Sequence, residues 1–351
     1  MKSNQSNLMW CALVLFAATL SGCTTLSASN NISVHGDSLV LVGTEPNELM
    51  YDSILPGTVV VRNKYAQDQQ GLIVYEEGRD YVVDYKAGTI ARTAHSSMPD
   101  FSTNILYGKK EFNHTEHPGY GNLPFFVFVD YTSTNPYNLI SPTRYSYQLS
   151  KTKSILDNGG TLNVIGFGDS ITAGGEATKL ELRFQQRYIN HLHSLYPNAT
   201  IKLENGATGG DATPQGLKRL NDKVLSQDPD LVLVGFGMND HNVRGVTPEQ
   251  FEDNLINITK KIQDKTGAEI LLFSAFPPNP NWKFGSHRME LYSTATQRAA
   301  QRTNSAFADV YSIWMKVLER KDLPSLLGNN INHPNDFGHW LYLEGLKSVN
   351  F

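Results

Sequence analysis

The stretch Leu162-Asn-Val-Ile-Gly-Phe-Gly168-Asp-Ser170-Ile-Thr172 decides the fold. Residues 162–167 form an apolar, strand-like run, and a Gly-rich segment follows Thr172. A serine in that position stands where a buried parallel strand ends. It faces the crevice above the sheet, where open α/β folds place their chemistry. Gly-Asp-Ser alone is a short signal that a plain turn also explains. It gains weight from three segments that follow in order: Asn205-Gly-Ala-Thr-Gly-Gly-Asp211, Gly237-Met-Asn-Asp240 and Asn332-His-Pro-Asn335. Together they offer a nucleophile, oxyanion donors and a base.

Outward from this stretch, the chain alternates strands and helices from about residue 155 to its end, the pattern of a parallel sheet covered by helices. Leu180, Phe184, Tyr188, Leu192 and Leu195 recur at spacings of three and four, which predicts an amphipathic helix over 176–196. A short strand is expected at 201–204, a helix at 214–225 and a buried strand at 230–235. Thr247-Pro-Glu-Gln250 is a capping box with Pro at the first helical position. The helix it opens carries Phe251, Leu255, Ile258 and Ile262 on one face. A strand at 269–274, a helix at 287–303, a strand at 307–311 and a helix from near Gly338 complete the pattern.

The region before it reads differently. Ser38-Leu-Val-Leu-Val42, Thr58-Val-Val-Val-Arg62, Gly71-Leu-Ile-Val-Tyr75, Tyr81-Val-Val-Asp-Tyr85, Thr89-Ile-Ala-Arg92 and Phe125-Phe-Val-Phe-Val-Asp130 are short and rich in β-branched and aromatic residues. Gly, Pro, Asn and Asp separate them, so strands and turns are expected over 33–150, as a small jelly-roll-like β-sandwich. A length of 351 residues suits two such units at roughly 100–200 residues each. The net charge of −4 and the lack of a Lys/Arg block argue against a nucleic-acid partner.

Residues 1–22 read as an export signal: Lys2 is the only charge, and an apolar core runs over 8–20. That core is shorter than the roughly 20 residues of a membrane span. Leu20-Ser21-Gly22-Cys23 resembles a bacterial lipobox, cleaved before Cys23 with lipid added to its thiol. A plain secretory signal with an incidental Cys23 is the other reading. Residues 23–32 look like a tether. Cys11, the second of the two cysteines, lies within the expected signal, so a mature chain has neither a disulfide nor a free thiol nucleophile.

Taken together, the four segments resemble those of the SGNH (GDSL-type) hydrolases over about residues 155–351. Ser170 matches the first block, Gly210 the second, Asn239 the third and His333 the last. The resemblance implies a three-layer α/β/α domain around a five-stranded parallel sheet, preceded here by the β-sandwich. Elementary chemistry agrees. A serine hydroxyl needs a base to take its proton, and histidine titrates near neutrality. Attack on an ester carbonyl makes an oxyanion, for which the Ser170 and Gly210 backbone N–H groups and the Asn239 amide are donors. No metal or cofactor is required. Gly210 also reads as a turn glycine. Asp169 reads as organising its loop; Asp211, Asp240 and Asp336 read as turn or cap residues, and His339 as packing or capping the last helix.

One position departs from the pattern. The family's last block usually carries Asp three residues before the His, and this chain has Asn330 there. The expectation is a Ser170–His333 dyad with Asn330, or a backbone carbonyl, orienting the imidazole. A lipoprotein with a β-domain ahead of such a hydrolase resembles the two-domain carbohydrate acetyl esterases of polysaccharide-degrading bacteria. An acetylated poly- or oligosaccharide is therefore the expected substrate. A lipid or aryl esterase, and a non-catalytic glycan-binding lipoprotein, are the alternatives. In the 276–288 loop, Trp282 is placed to stack on a sugar and Arg288 to meet a carboxylate or sulfate, unless the loop is merely packed for shape. Thr24 after the lipid-bearing Cys23 points to a lipid anchor in the outer membrane of a bacterial envelope.

Overall fold

The computed structural model describes residues 31–139, 142–145, 147–242 and 245–351. The expected export signal, Cys23 and tether residues 24–30 lie outside them. The strands are β1 (Ile32–Leu39), β2 (Asn47–Glu48), β3 (Val60–Arg62), β4 (Tyr81–Asp84), β5 (Thr89–Arg92), β6 (Val127–Ser133), β7 (Thr143–Arg144), β8 (Thr161–Gly168), β9 (Thr200–Asn205), β10 (Leu231–Gly235), β11 (Glu269–Phe273), β12 (Ala306–Ala308) and β13 (Val349–Asn350). The helices are α1 (Ser150–Asp157), α2 (Phe184–Leu195), α3 (Thr213–Lys223), α4 (Pro248–Thr266), α5 (Met289–Arg302), α6 (Val310–Val317) and α7 (Asp336–Lys347).

Five parallel strands form the central sheet in the order β12-β11-β10-β8-β9. Every residue of β10 is buried, as a parallel strand covered on both faces requires. After β8 the chain steps outward through α2 to β9. It then returns through α3 to β10 and continues through α4 and α5 to β11 and β12. Right-handed crossovers put α2 on one face and α3, α4 and α5 on the other. Helices α6 and α7 join α2, and the result is the expected α/β/α layering. The direction of travel reverses between β8 and β10, so the crevice beyond their C-terminal ends is the topological switch point.

Residues 32–133 build two three-stranded antiparallel sheets, β1-β6-β3 and β2-β5-β4. The strand expected at 71–75 is reduced to a single bridge between Val74 and Arg62. The one expected at 38–42 begins earlier, at Ile32, and stops at Leu39. Beyond it the Val40 N–H donates to Ser325 Oγ (3.1 Å), which draws the chain off the sheet and against the C-terminal region. The two regions share one continuous apolar core. Within it, Lys321 Nζ and Asp37 Oδ1 form an ion pair of 2.7 Å with no solvent exposure on either side chain.

Two expectations for the C-terminal region change. The helix predicted over 176–196 starts only at Phe184, and 176–183 is a loop with one 3-10 turn. The Thr178 N–H and hydroxyl bind the Asp336 carboxylate (2.9 and 2.7 Å), a partner far along the chain that outweighs the local helical pattern. The strand expected over 307–311 stops at Ala308, because Asp309 accepts from the Ser312 N–H (3.0 Å) and starts α6.

Candidate active site

Ser170 lies just beyond the end of β8, and His333 just before α7. Ser170 Oγ and His333 Nε2 are 2.7 Å apart, a hydroxyl–imidazole hydrogen bond. Nε2 accepts when the ring proton sits on Nδ1. The loop that presents His333 is built around Asn329. Its side-chain oxygen accepts from the backbone N–H groups of Ile331, Asn332 and His333 at 3.0, 2.9 and 3.0 Å. The Gly328 N–H donates to the His333 carbonyl (2.9 Å), and Asn335 caps α7 through the Gly338 N–H (2.9 Å).

The second motif runs on from β9 alongside β8. The Gly206 and Thr208 N–H groups donate to the carbonyls of Gly166 and Gly168 at 2.9 and 3.0 Å. A Cβ on Gly209 would stand 3.8 Å from Ser170 Cβ, so this turn lies directly against the serine. Gly210 has φ of 77°, which favours glycine, and a Cβ there would meet no atom of the described residues within 4 Å. Asn239 follows β10, and its Nδ2 donates to the Asp211 carbonyl (2.9 Å). That bond ties the third motif to the second and uses one of the two amide hydrogens.

The surrounding acids hold loops. Asp169 is buried beside the serine and accepts from the Ile171 N–H (2.9 Å); burial pushes its carboxyl up to about 7. Asp240 accepts from the Thr213 N–H and hydroxyl at the start of α3 (2.9 and 2.6 Å), and burial pushes it up to about 6. Asp211 pairs with Arg219 (3.0 Å). His339, fully buried in α7, stacks on Phe184 and bonds the Gly175 carbonyl (3.1 Å). Burial holds it neutral, with its pKa depressed to about 3.

Three sequence-predicted residues sit elsewhere than expected, or lack the expected contact. Asn330 is buried, but its amide oxygen accepts from Asn279 Nδ2 (3.3 Å), as does its carbonyl (2.8 Å). With φ of 56°, it braces the 276–288 loop and does not bond the imidazole. His333 Nδ1 has no hydrogen-bond partner among the described residues; the nearest carboxylate oxygen is Glu176 Oε1, at 3.8 Å. Trp282 is only 4% exposed and so has no free face for a sugar. Its backbone pairs with Phe112, and its indole N–H donates to His114 Nδ1 (3.1 Å). These partners come from the N-terminal region, which the 276–288 segment alone does not reveal. Arg288 is exposed, within electrostatic reach of the buried His241.

Glu176 and Asn329 were missed. Helical spacing drew Glu176 into a helix, and the signal against it was the preceding Gly174-Gly175. Among the described residues, no group of three His, Cys, Asp or Glu side chains is placed to hold a metal ion. No helix among them is long and apolar enough to cross a membrane.

Residues 167–341 match the sequence model of the GDSL-like Lipase/Acylhydrolase family. The chain is 29% identical over 131 residues to an arylesterase of Vibrio mimicus (36% of this chain, 60% of that protein). It is 27% identical over 110 residues to esterase TesA of Pseudomonas aeruginosa (31% and 52%). The match thus spans less than two thirds of either relative. An acetylxylan esterase of Geobacillus stearothermophilus is 24% identical over 203 residues (52% of this chain, 92% of that protein). Among solved structures, a two-domain esterase active on acetylated mannans superposes with a TM-score of 0.49 at 24% identity, over 60% of this chain and 54% of that one.

Proposed function

Residues 167–341 belong to the GDSL-like Lipase/Acylhydrolase family, and from that premise we propose that this chain is a serine esterase that removes O-acetyl groups from a poly- or oligosaccharide. The observation that carries the chemistry is the 2.7 Å contact between Ser170 Oγ and His333 Nε2 at the switch point of the sheet. Ser170 Oγ attacks the acetyl carbonyl while Nε2 takes its proton. The Ser170 and Gly210 N–H groups and the second Asn239 amide hydrogen receive the oxyanion. The ester C–O bond then breaks, and Nε2 returns the proton to the departing sugar hydroxyl. Water then attacks the acetyl-serine carbonyl while giving a proton to Nε2; the acyl bond to Ser170 Oγ breaks, acetate leaves, and Nε2 returns the proton to Oγ.

The carbohydrate acetyl specificity draws support from the acetylxylan esterase, whose length is matched almost throughout. Acetate release from a panel of acetylated xylans and mannans tests it, with Ser170→Ala as the control. Release that depends on Ser170 is expected; no release from any of them contradicts the proposal. The likeness to an arylesterase favours one other reading, an aryl or lipid esterase with the same machinery. A series of nitrophenyl esters separates the two. The acetyl ester is turned over best under the first reading and longer acyl chains under the second.

The proposal extends to place. Lipidation at Cys23 holds the enzyme at the bacterial outer membrane, beside incoming polysaccharide. Cys23→Ser then yields unlipidated protein, released or held as an uncleaved precursor. Native mature protein with residues 1–22 present and Cys23 unmodified would overturn that part alone.

A further inference from the structure

We propose that Glu176 is the acidic partner of His333, taking from outside the last motif the role that Asn330 does not fill. The inference rests on the esterase reading above and names the residue that holds and charges its base. Glu176 Oε1 is 3.8 Å from His333 Nδ1, and that nitrogen has no hydrogen-bond partner among the described residues. That separation is within ion-pair range, and catalytic hydrogen bonds are often long before substrate binds.

The backbone around Glu176 is fixed on both sides. The Gly175 N–H donates to the Ser170 carbonyl (2.9 Å), and the Gly175 carbonyl is bonded by the buried His339 ring (3.1 Å). Two residues beyond Glu176, Thr178 is held by Asp336. Glu176 itself has φ of 66°, a left-handed conformation that a non-glycine residue adopts at a cost. Two neighbours are shaped to accept it. A Cβ on Gly175 would lie 3.1 Å from His333 Nδ1, and one on Gly328 would lie 2.5 Å from Glu176 Cβ. Side chains at either position would crowd the acid and the ring apart. The strained residue, the two glycines and the unpartnered nitrogen converge on one contact.

In the reaction the Nδ1 proton stays on the ring and bonds the carboxylate. The acid thereby fixes the tautomer that leaves Nε2 free to take the Ser170 proton. It also stabilises the imidazolium that then forms. Glu176 touches neither substrate nor the reacting serine, so it is a positioning residue. Among the described residues, Asp169 beside Ser170 and His339 of α7 lie within electrostatic reach of His333, and Tyr120 of the N-terminal region lies within reach of Glu176. None of them is altered by a change at Glu176.

The test combines kinetics with ring ¹⁵N NMR on wild type, Glu176→Gln, Glu176→Ala and Glu176→Asp, with His333 signals assigned by difference from His333→Gln. The glutamine and alanine variants lower kcat by about 5- to 900-fold with KM little changed. That span covers a unit charge roughly 4 Å away, from bulk water to a protein surface. The acid limb of the pH–rate profile moves to lower pH, because the imidazolium loses its counter-charge. In Glu176→Ala the ring ¹⁵N signals shift away from the Nδ1–H form, and Glu176→Asp retains more activity than Glu176→Ala. Glutamine and alanine variants with an unmoved acid limb and unchanged ring signals overturn the proposal, whether or not activity falls. If Ser170→Ala keeps full activity, the assignment of Ser170 as nucleophile fails instead. The ring signals then still decide whether Glu176 holds His333.

Discussion

Asn239 gives one amide hydrogen to the Asp211 carbonyl, and this fixes the side chain beside the turn that packs on Ser170. Its second hydrogen is the one the proposed reaction uses. Asn239→Ala therefore lowers kcat by about 10²–10³ with little change in KM, the range for one lost oxyanion donor; steady-state kinetics on a nitrophenyl acetate check it. Asp169 makes a prediction about stability. Burial raises its carboxyl from 3.8 to about 7, so the folded chain binds more protons than the unfolded one across that window. Stability from this group therefore falls as pH rises from about 4 to about 7. Asp169→Asn keeps the acceptor for the Ile171 N–H and removes the penalty, with a gain that grows to at most about 4 kcal/mol by pH 8. Denaturant melts at pH 4 and pH 8 test this, and equal changes at the two would contradict it. At this scale Ser170 and His333 were legible because each sits in a motif beside a strand or helix end. Asn330 was misread because spacing from the histidine says nothing about where a left-handed residue points its amide.

The loop before α7 behaves as a rigid element because one side chain organises it. Asn329 takes three backbone N–H groups, His333's among them. Asn329→Ala leaves buried donors unmet, at about 1–3 kcal/mol of stability for each such loss. It also lowers kcat, since the imidazole is no longer held at the serine. Asn329→Asp retains the acceptor and recovers most of both, which thermal melts and kinetics on the same samples will show. The strands of the parallel sheet and the capped helix α4 were legible from apolar runs and the Thr247-Pro-Glu-Gln250 box, where local pattern and tertiary packing agree. The 176–183 loop was not. Its helical spacing is overridden by Asp336 binding Thr178 and by Lys179 pairing with Asp68 (2.7 Å), partners distant in sequence.

At the scale of the whole molecule, the N-terminal region shares an apolar core with the α/β region. Asn122 adds polar contacts: its N–H bonds the Gly328 carbonyl (2.8 Å), and its side chain bonds the carbonyls of Pro324 and Leu327 (3.1 and 3.0 Å), next to the His333 loop. We propose that residues 33–150 complete the fold of the catalytic region rather than forming a detachable module. The ion pair Asp37–Lys321 is the sharpest test, since it is wholly buried between the two regions. Asp37→Asn leaves the ammonium without its counter-charge and costs about 3–5 kcal/mol in a denaturant melt. A single transition lost as a unit is expected. Unfolding of the N-terminal region alone, with activity retained, would show two independent domains. Strand texture revealed the β-rich region, but such an interface is invisible in sequence, because its partners lie between 202 and 287 residues apart. The central claim is that Ser170 is a nucleophile activated by His333. Labelling of the intact protein with a fluorophosphonate, followed by peptide mapping, tests it most directly. One adduct on Ser170, abolished in His333→Ala, is the predicted result; no adduct, or one that survives Ser170→Ala, would contradict it.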